Sequence, residues 1–279
     1  MLNRLRIKNL LNIHQQTRKY MTSIQLVSDL HLEFYESPRL HDFIVPRSPN
    51  LAIMGDFGIP YMDSYKRVIE DCSQNFKKTF IISGNHEYYQ WKNRTNKKLT
   101  IIETDEKIKE ITQSFDNVHF LQNQAHNLND KYTIIGTTLW SHIPRIHVGA
   151  ALYGMNDFRQ IYADSNQLIT PALINKLHDD NIDQLSALID QNKDKQVIVM
   201  SHHLPSLQLI SKKYQGHPLN CCFATNLEHL MKENVKYWFS GHTHDNFDLK
   251  INHCRCIINP YGYKNENSKF INDLVIKLE

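Results

Sequence analysis

Ile24-Gln25-Leu26-Val27-Ser28-Asp29-Leu30-His31 sets the pattern by which this chain is read. An apolar run that ends in a small residue and then releases an acid and an imidazole is a buried strand emptying into a loop. The transition recurs four times. The run 51–54 is followed by Gly55-Asp56, 80–82 by Gly84-Asn85-His86-Glu87, 197–200 by Ser201-His202-His203, and 238–239 by Gly241-His242-Thr243-His244. Five strands releasing Asp, Asn or His at the same end gather those side chains into one crevice, where open α/β sheets place their ligands. The pattern is that of a metalloenzyme.

The residue types fit that chemistry. On extended backbone, residues two apart share a face, so Asp29 and His31, and likewise His242 and His244, are expected to point the same way. Imidazole combined with carboxylate suits Mn, Fe, Zn or Ni better than Ca or Mg. A central carboxylate such as Asp56 can bridge two cations that would otherwise repel. Asn85 offers a neutral oxygen, and Gly84 and Gly241 permit tight turns beside the ligands.

In order and in neighbourhood, these clusters resemble the signature motifs of the calcineurin-like metallophosphoesterase superfamily, from about residue 24 to the C-terminal strands. The resemblance implies an α/β fold, a metallophosphoesterase-like sandwich of two mixed β-sheets flanked by helices. It implies two divalent or trivalent metal ions, one on Asp29, His31, Asp56 and His244, the other on Asp56, Asn85, His202 and His242. A hydroxide held by both would attack a phosphate ester. His86, following the ligand Asn85, would contact the phosphate and protonate the leaving group, work that contributes roughly 10²–10⁴-fold in rate. One departure stands out. Many members carry an acid two or three residues beyond the bridging Asp, and Phe57-Gly58-Ile59-Pro60 contains none. Whatever orients His86 must come from elsewhere or be absent.

Other candidates are less constrained. Arg159 and His142 are the substrate-binding candidates, Arg159 because a guanidinium matches phosphate geometry. Tyr88, Tyr89 and Trp91 follow the Asn85-His86 loop and suit either the mouth of the site or aromatic packing. His203 adjoins a ligand but points to the other face, which suits a supporting role. The loop 204–223 is expected to cover one side of the pocket.

Around these motifs, helical spacing covers 61–76 and 98–115, a helix starts at Thr170-Pro171, and another is expected over 224–233. Further strands are read at 117–121, 132–136, 247–251, 255–258 and 273–278. The 279 residues suit one large core, expected to span 23–279. Residues 1–22 form a basic extension in which Arg4, Arg6, Lys8, Arg18 and Lys19 precede any acid. It reads either as a disordered or misassigned start or as an organelle-targeting segment. An intracellular, cytoplasmic place is favoured, with a mitochondrial one left open by that basic start.

Of the net charge of +3, those five residues carry +5, so the chain from Asp29 onward carries −2. A nucleic-acid partner is therefore disfavoured. No apolar stretch reaches the roughly 18–20 residues that span a bilayer, so no membrane partner is expected. Five cysteines at unsuitable spacings read as free thiols. The partner is a phosphorylated substrate, most simply that of a phosphomonoesterase. The alternatives are a phosphodiesterase acting on nucleotides or cyclic nucleotides, and a non-catalytic scaffold. The sequence leaves the oligomeric state open.

Overall fold

The computed structural model describes residues 22–90, 98–267 and 269–279. The extension over 1–22 lies, but for Thr22, outside the described residues, as does Trp91.

The chain begins with β1 (Ser23–Val27) and β2 (Asn50–Met54), followed by α1 (Asp63–Asn75), β3 (Lys78–Ile82), α2 (Ile101–Thr112) and β4 (Val118–Phe120). β1 to β4 are parallel neighbours. The last strand, β11 (Val275–Lys277), closes this sheet antiparallel to β1, giving the order β11-β1-β2-β3-β4. The second sheet has the order β5-β6-β7-β8-β10-β9. Its strands are β5 (Gln124–Asn127), β6 (Tyr132–Thr137), β7 (Gln196–Ser201), β8 (Val235–Ser240), β9 (Phe247–Ile251) and β10 (Cys254–Ile258). The four central strands are parallel and the two edges antiparallel. Both sheets are thus mixed, and each has its parallel centre buried on two faces, which is why those strands read as continuous apolar runs.

Three clusters fill the layers. Between the sheets, Leu26, Met54, Phe80 and Ile82 meet Ile198, Met200, Phe239 and Ile257. Outside the first sheet, Tyr65, Val68 and Ile69 of α1 and Ile108 and Ile111 of α2 cover Val27, Ile53 and Ile81. Outside the second, Leu185 and Ile189 cover Val197, Val199 and Trp238. Those two leucine and isoleucine side chains belong to the longest helix, which follows two short ones, α3 (Val148–Gly154) and α4 (Asp157–Gln160). This α5 (Pro171–Gln191) starts where its sequence says, with the Thr170 side chain accepting from Leu173 N–H and Pro171 at the first position.

The helix expected over 224–233 does not form. Only a three-residue 3₁₀ turn, Glu228–Leu230, is present. Thr225 N–H bonds the Leu204 carbonyl and Leu227 N–H that of Pro205, so the segment spends its donors on the preceding loop. Its apolar residues Leu227, Leu230 and Met231 pack against the second sheet from that extended path. All five cysteines are free. Among the described residues no helix is long and apolar enough to cross a membrane.

Candidate metal centre

Parallel strands deliver their C-terminal ends to one edge of each sheet, and the two edges face each other. β1 releases Asp29 and His31, β2 Asp56, β3 Asn85 and His86, β7 His202, and β8 His242 and His244. Backbone bonds lock these loops side by side. Asp29 N–H reaches Gly55 O at 3.0 Å, His31 N–H reaches Asp56 O at 2.9 Å, and Gly241 N–H reaches His202 O at 3.1 Å. The buried Glu87 carboxylate staples two loops, accepting from Asp56, Phe57 and Gly84 N–H at 2.7–3.0 Å. The Gly84 backbone lies so close to Asp56 and His202 that an added Cβ would strike the Asp56 carboxylate.

The expectation of extended backbone at the Asp-x-His pairs is corrected here. Asp29, His31, Asp56, His242 and His244 all have positive φ, between 49° and 71°. Asn85 after β3 has φ −85°, whereas the turns out of β1, β2 and β8 are left-handed. For residues with a Cβ this costs of order 1–3 kcal/mol each, strain that the surrounding structure must hold.

All seven sequence-read ligands converge. Donor atoms of Asp29, His31 and His244 lie within 4.8 Å of one another, as do those of Asp56, His202 and His242. Asp56 stands between the groups, with one oxygen 3.4 Å from His202 Nε2 and the other 3.9 Å from His31 Nε2. Asn85 Oδ1 is 3.1 Å from His202 Nε2.

The hydrogen bonds on the far side of each ring decide what this cluster can hold. His31 Nδ1 donates to Glu33 at 3.2 Å and His244 Nδ1 to Glu266 at 2.6 Å, since a carboxylate only accepts. His202 Nδ1 donates to Met54 O at 2.8 Å, and His242 Nε2 to Cys222 O at 3.3 Å. In each neutral ring this leaves the inner nitrogen with a lone pair. Two such pairs face each other at 3.1 Å, His31 against His244 and His202 against His242. With two buried carboxylates and an amide oxygen among them, the arrangement asks for positive charge at its centre. Metal ions fit, and outer partners of this kind are how ligating imidazoles are oriented.

Asn85 is fixed in the same way. Its amide nitrogen donates to Asp157 Oδ1 at 2.8 Å and lies 3.1 Å from the Tyr89 hydroxyl, turning the oxygen inward. Sequence reading gave Asp157 no role, and gave none to Glu33, Glu266 or Tyr263.

The acid missing after Asp56 is replaced from the turn that follows β1. Glu33 Oε1 accepts from His86 Nδ1 at 2.9 Å as well as from His31. Burial raises this carboxyl's pKa, but the bonds from His31 and His86 outweigh it and bring it down to about 2. His86 Nε2 faces the cavity, 3.3 Å from the Tyr263 hydroxyl, and its ring stacks on Tyr89 at 4.2 Å.

Arg159 and His142 are not among the residues brought together here. The Arg159 guanidinium bonds the carbonyls of Leu152 and Tyr153 and the Asn156 side chain, satisfying the end of α3. His142 is exposed and lines a different cavity with Pro144, Leu207 and Pro218. His203 packs its ring on His242 at 4.3 Å with Nδ1 toward Thr138 O. Tyr89 lines the site, whereas Tyr88 stacks on Trp140 and bonds Asp105.

A cavity of about 370 Å³ opens over Asp56, Asn85, His86, His242 and His244. The loop 204–223 forms its far side through Ile210, Tyr214, Leu219 and Phe223.

A model of the family described as calcineurin-like phosphoesterase matches residues 22–246. An uncharacterized protein of Acanthamoeba polyphaga mimivirus, L509, is 28% identical over 270 residues, covering 90% of this chain and 94% of the viral one. Among solved structures, phosphopantetheinyl hydrolase from Mycobacterium tuberculosis superposes with a TM-score of 0.67 at 16% identity, covering 87% of this chain and 90% of that one. TT1561 of Thermus thermophilus gives 0.52 at 11% identity over 86% and 89%. These two likenesses are of fold.

Proposed function

The chain belongs to the calcineurin-like phosphoesterase family, and from that premise we propose that it hydrolyses phosphate monoesters with the help of two metal ions. The family is metal-dependent, and phosphoester hydrolysis in general follows from membership. The observation that carries the finer reading is the set of four imidazoles whose outer nitrogens are all engaged and whose inner nitrogens face Asp56 or Asp29.

Asp29, His31, Asp56 and His244 would hold one ion, and Asp56, Asn85, His202 and His242 the other. Mixed nitrogen and carboxylate donors suit Mn, Fe, Zn or Ni. When bound, such a pair supplies Lewis-acid charge for a phosphate and lowers the pKa of water.

The chain's own residues do the rest. Glu33 keeps the hydrogen of His86 on Nδ1, so the proton available for the leaving oxygen sits on Nε2, the atom that faces the cavity. The Tyr263 hydroxyl holds that nitrogen from the other side and can donate to a phosphate oxygen. Tyr89 stacks flat on His86 and limits its rotation. Of these contacts, that of Tyr263 comes from beyond the residues the family model matches.

The test is steady-state assay of the Mn²⁺-loaded protein on 4-nitrophenyl phosphate and on bis(4-nitrophenyl) phosphate. Monoester turnover at a higher kcat/KM than diester supports the reading, and diester preference overturns it. The hydrolase from Mycobacterium tuberculosis is named for a phosphopantetheinyl group. At 16% identity that name describes the mycobacterial protein and carries no argument here.

A further inference from the structure

The metal donors make only one side of the cavity. Facing them are Met155, just after α3, and Ile210, Tyr214, Leu219 and Phe223 of the loop 204–223. These two walls touch, since a Cβ added to Gly154 would lie 2.7 Å from Leu219 Cδ1. A cavity of about 370 Å³ has the size that holds a small organic molecule. A single phosphate at the metal donors leaves most of it for the ester's other half.

Charge narrows what that half can be. Asp245 and Glu266 line the same cavity. Glu266 is held by His244 at 2.6 Å, and Asp245 lies 3.6 Å from Lys213. Both carboxylates are already paired, and no lysine or arginine is among the described residues that line the cavity, so a second phosphate would find no ammonium or guanidinium partner there. A hydrocarbon segment would instead meet Met155, Leu219 and Phe223.

Exposed apolar residues adjoin these walls along the chain. Tyr153, next to the cavity residue Gly154, is 88% exposed, and Leu152 and Tyr214 are exposed too. Grouped apolar exposure beside a pocket marks a surface that binds something.

We propose that the natural substrate is a single phosphate esterified to a neutral, elongated organic chain with an apolar segment, which lies along the joint wall that α3 and the loop 204–223 present to the cavity. This rests on the phosphomonoesterase reading and names its substrate class. In the reaction a water oxygen bonds to phosphorus and the ester P–O bond breaks. The chain departs as an alcohol on taking up a proton, leaving inorganic phosphate.

The experiment measures product release by the Mn²⁺-loaded full chain from ethyl, butyl, hexyl and octyl phosphate, with 4-nitrophenyl phosphate, bis(4-nitrophenyl) phosphate and adenosine diphosphate alongside. Each methylene that becomes buried should raise kcat/KM by about fourfold, as expected for transfer of a CH₂ group from water. Adenosine diphosphate should fall at least about tenfold below octyl phosphate, the equivalent of about 1.4 kcal/mol. Leu219→Asp should flatten the chain-length series. Met155→Gln, close in volume, should do so more mildly and guards against misfolding of the first variant. A flat series with 4-nitrophenyl phosphate still hydrolysed overturns this inference alone, as does preference for adenosine diphosphate. Turnover of diesters but of no monoester overturns the monoesterase reading and this inference with it.

Discussion

Glu33 and His86 are joined by a 2.9 Å hydrogen bond across two loops, and the same Glu33 oxygen also receives His31 Nδ1. One carboxylate therefore positions a candidate metal ligand and the candidate general acid together. Glu33→Ala should lower kcat by roughly 10–100-fold, the usual cost of removing a partner of a ligating imidazole. Glu33→Gln, which keeps an oxygen acceptor, should recover part of it. The check is kcat together with metal content by mass spectrometry. Unchanged kcat in Glu33→Ala would show that His86 is oriented by other means.

Metal removal should destabilise the fold. Without cations, the inner nitrogens of His31 and His244 stay 3.1 Å apart beside two buried carboxylates. Saturation at about 1,000 times Kd would contribute roughly 4 kcal/mol. For a chain of this size that corresponds to a fall in Tm of roughly 8–16 °C on chelation. Asp56→Ala and His202→Ala should abolish turnover and remove most of this difference. A Tm indifferent to chelator in the metal-loaded parent would contradict the ligand assignment.

The convergence of the candidate metal donors was legible because each is encoded locally, as a strand end followed by Asp, Asn or His. What holds them was much less so. Asp157 reaches Asn85 across 72 residues, and Tyr263 reaches His86 across 177. No local pattern records such contacts, which depend on how α4 and the segment after β10 return to the sheet edges. Glu33 could have been found, since an acid two residues past a candidate ligand His is itself a signal. The left-handed turns were invisible, because nothing in an Asp or His announces a positive φ. The failed helix over 224–233 has another cause: its apolar spacing fits a helix, but its backbone donors pair with the loop at Leu204 and Pro205.

Asp157 should govern the metal site that Asn85 serves. Its carboxylate takes the Asn85 amide N–H at 2.8 Å and the Tyr89 hydroxyl at 2.6 Å. In Asp157→Ala the amide can rotate and present its NH₂ group inward, where a cation would repel it. Metal affinity at that site should drop roughly 10–100-fold. In Asp157→Asn the side-chain oxygen can still accept, so the loss should be smaller. Calorimetric titration of the metal-free protein with Mn²⁺ reads both, and two equal, unaltered binding steps in Asp157→Ala would count against the role.

Asp105 gives the fold a pH dependence separate from the ligands. Its carboxylate on α2 accepts from the Tyr88 hydroxyl at 2.8 Å and from Ser83 Oγ at 3.2 Å. Burial pushes its pKa up from 3.8 to about 6, more than those two bonds pull it down. The folded state therefore binds the proton more tightly than the unfolded chain. The associated stability is present in full below about pH 4 and is lost as the pH rises through 6. At 1.36 kcal/mol per unit, the loss above pH 7 is about 2 kcal/mol after allowing for partial exposure. Asp105→Asn keeps an oxygen for Tyr88 and has no charge to bury. Its Tm relative to the parent should climb between pH 4.5 and 6.5 and then level off, by roughly 4–8 °C in all at fixed metal concentration. A Tm difference that stays constant from pH 4.5 to 7.5 would mean that Asp105 titrates normally and that its enclosure between Tyr88 and Ser83 costs nothing.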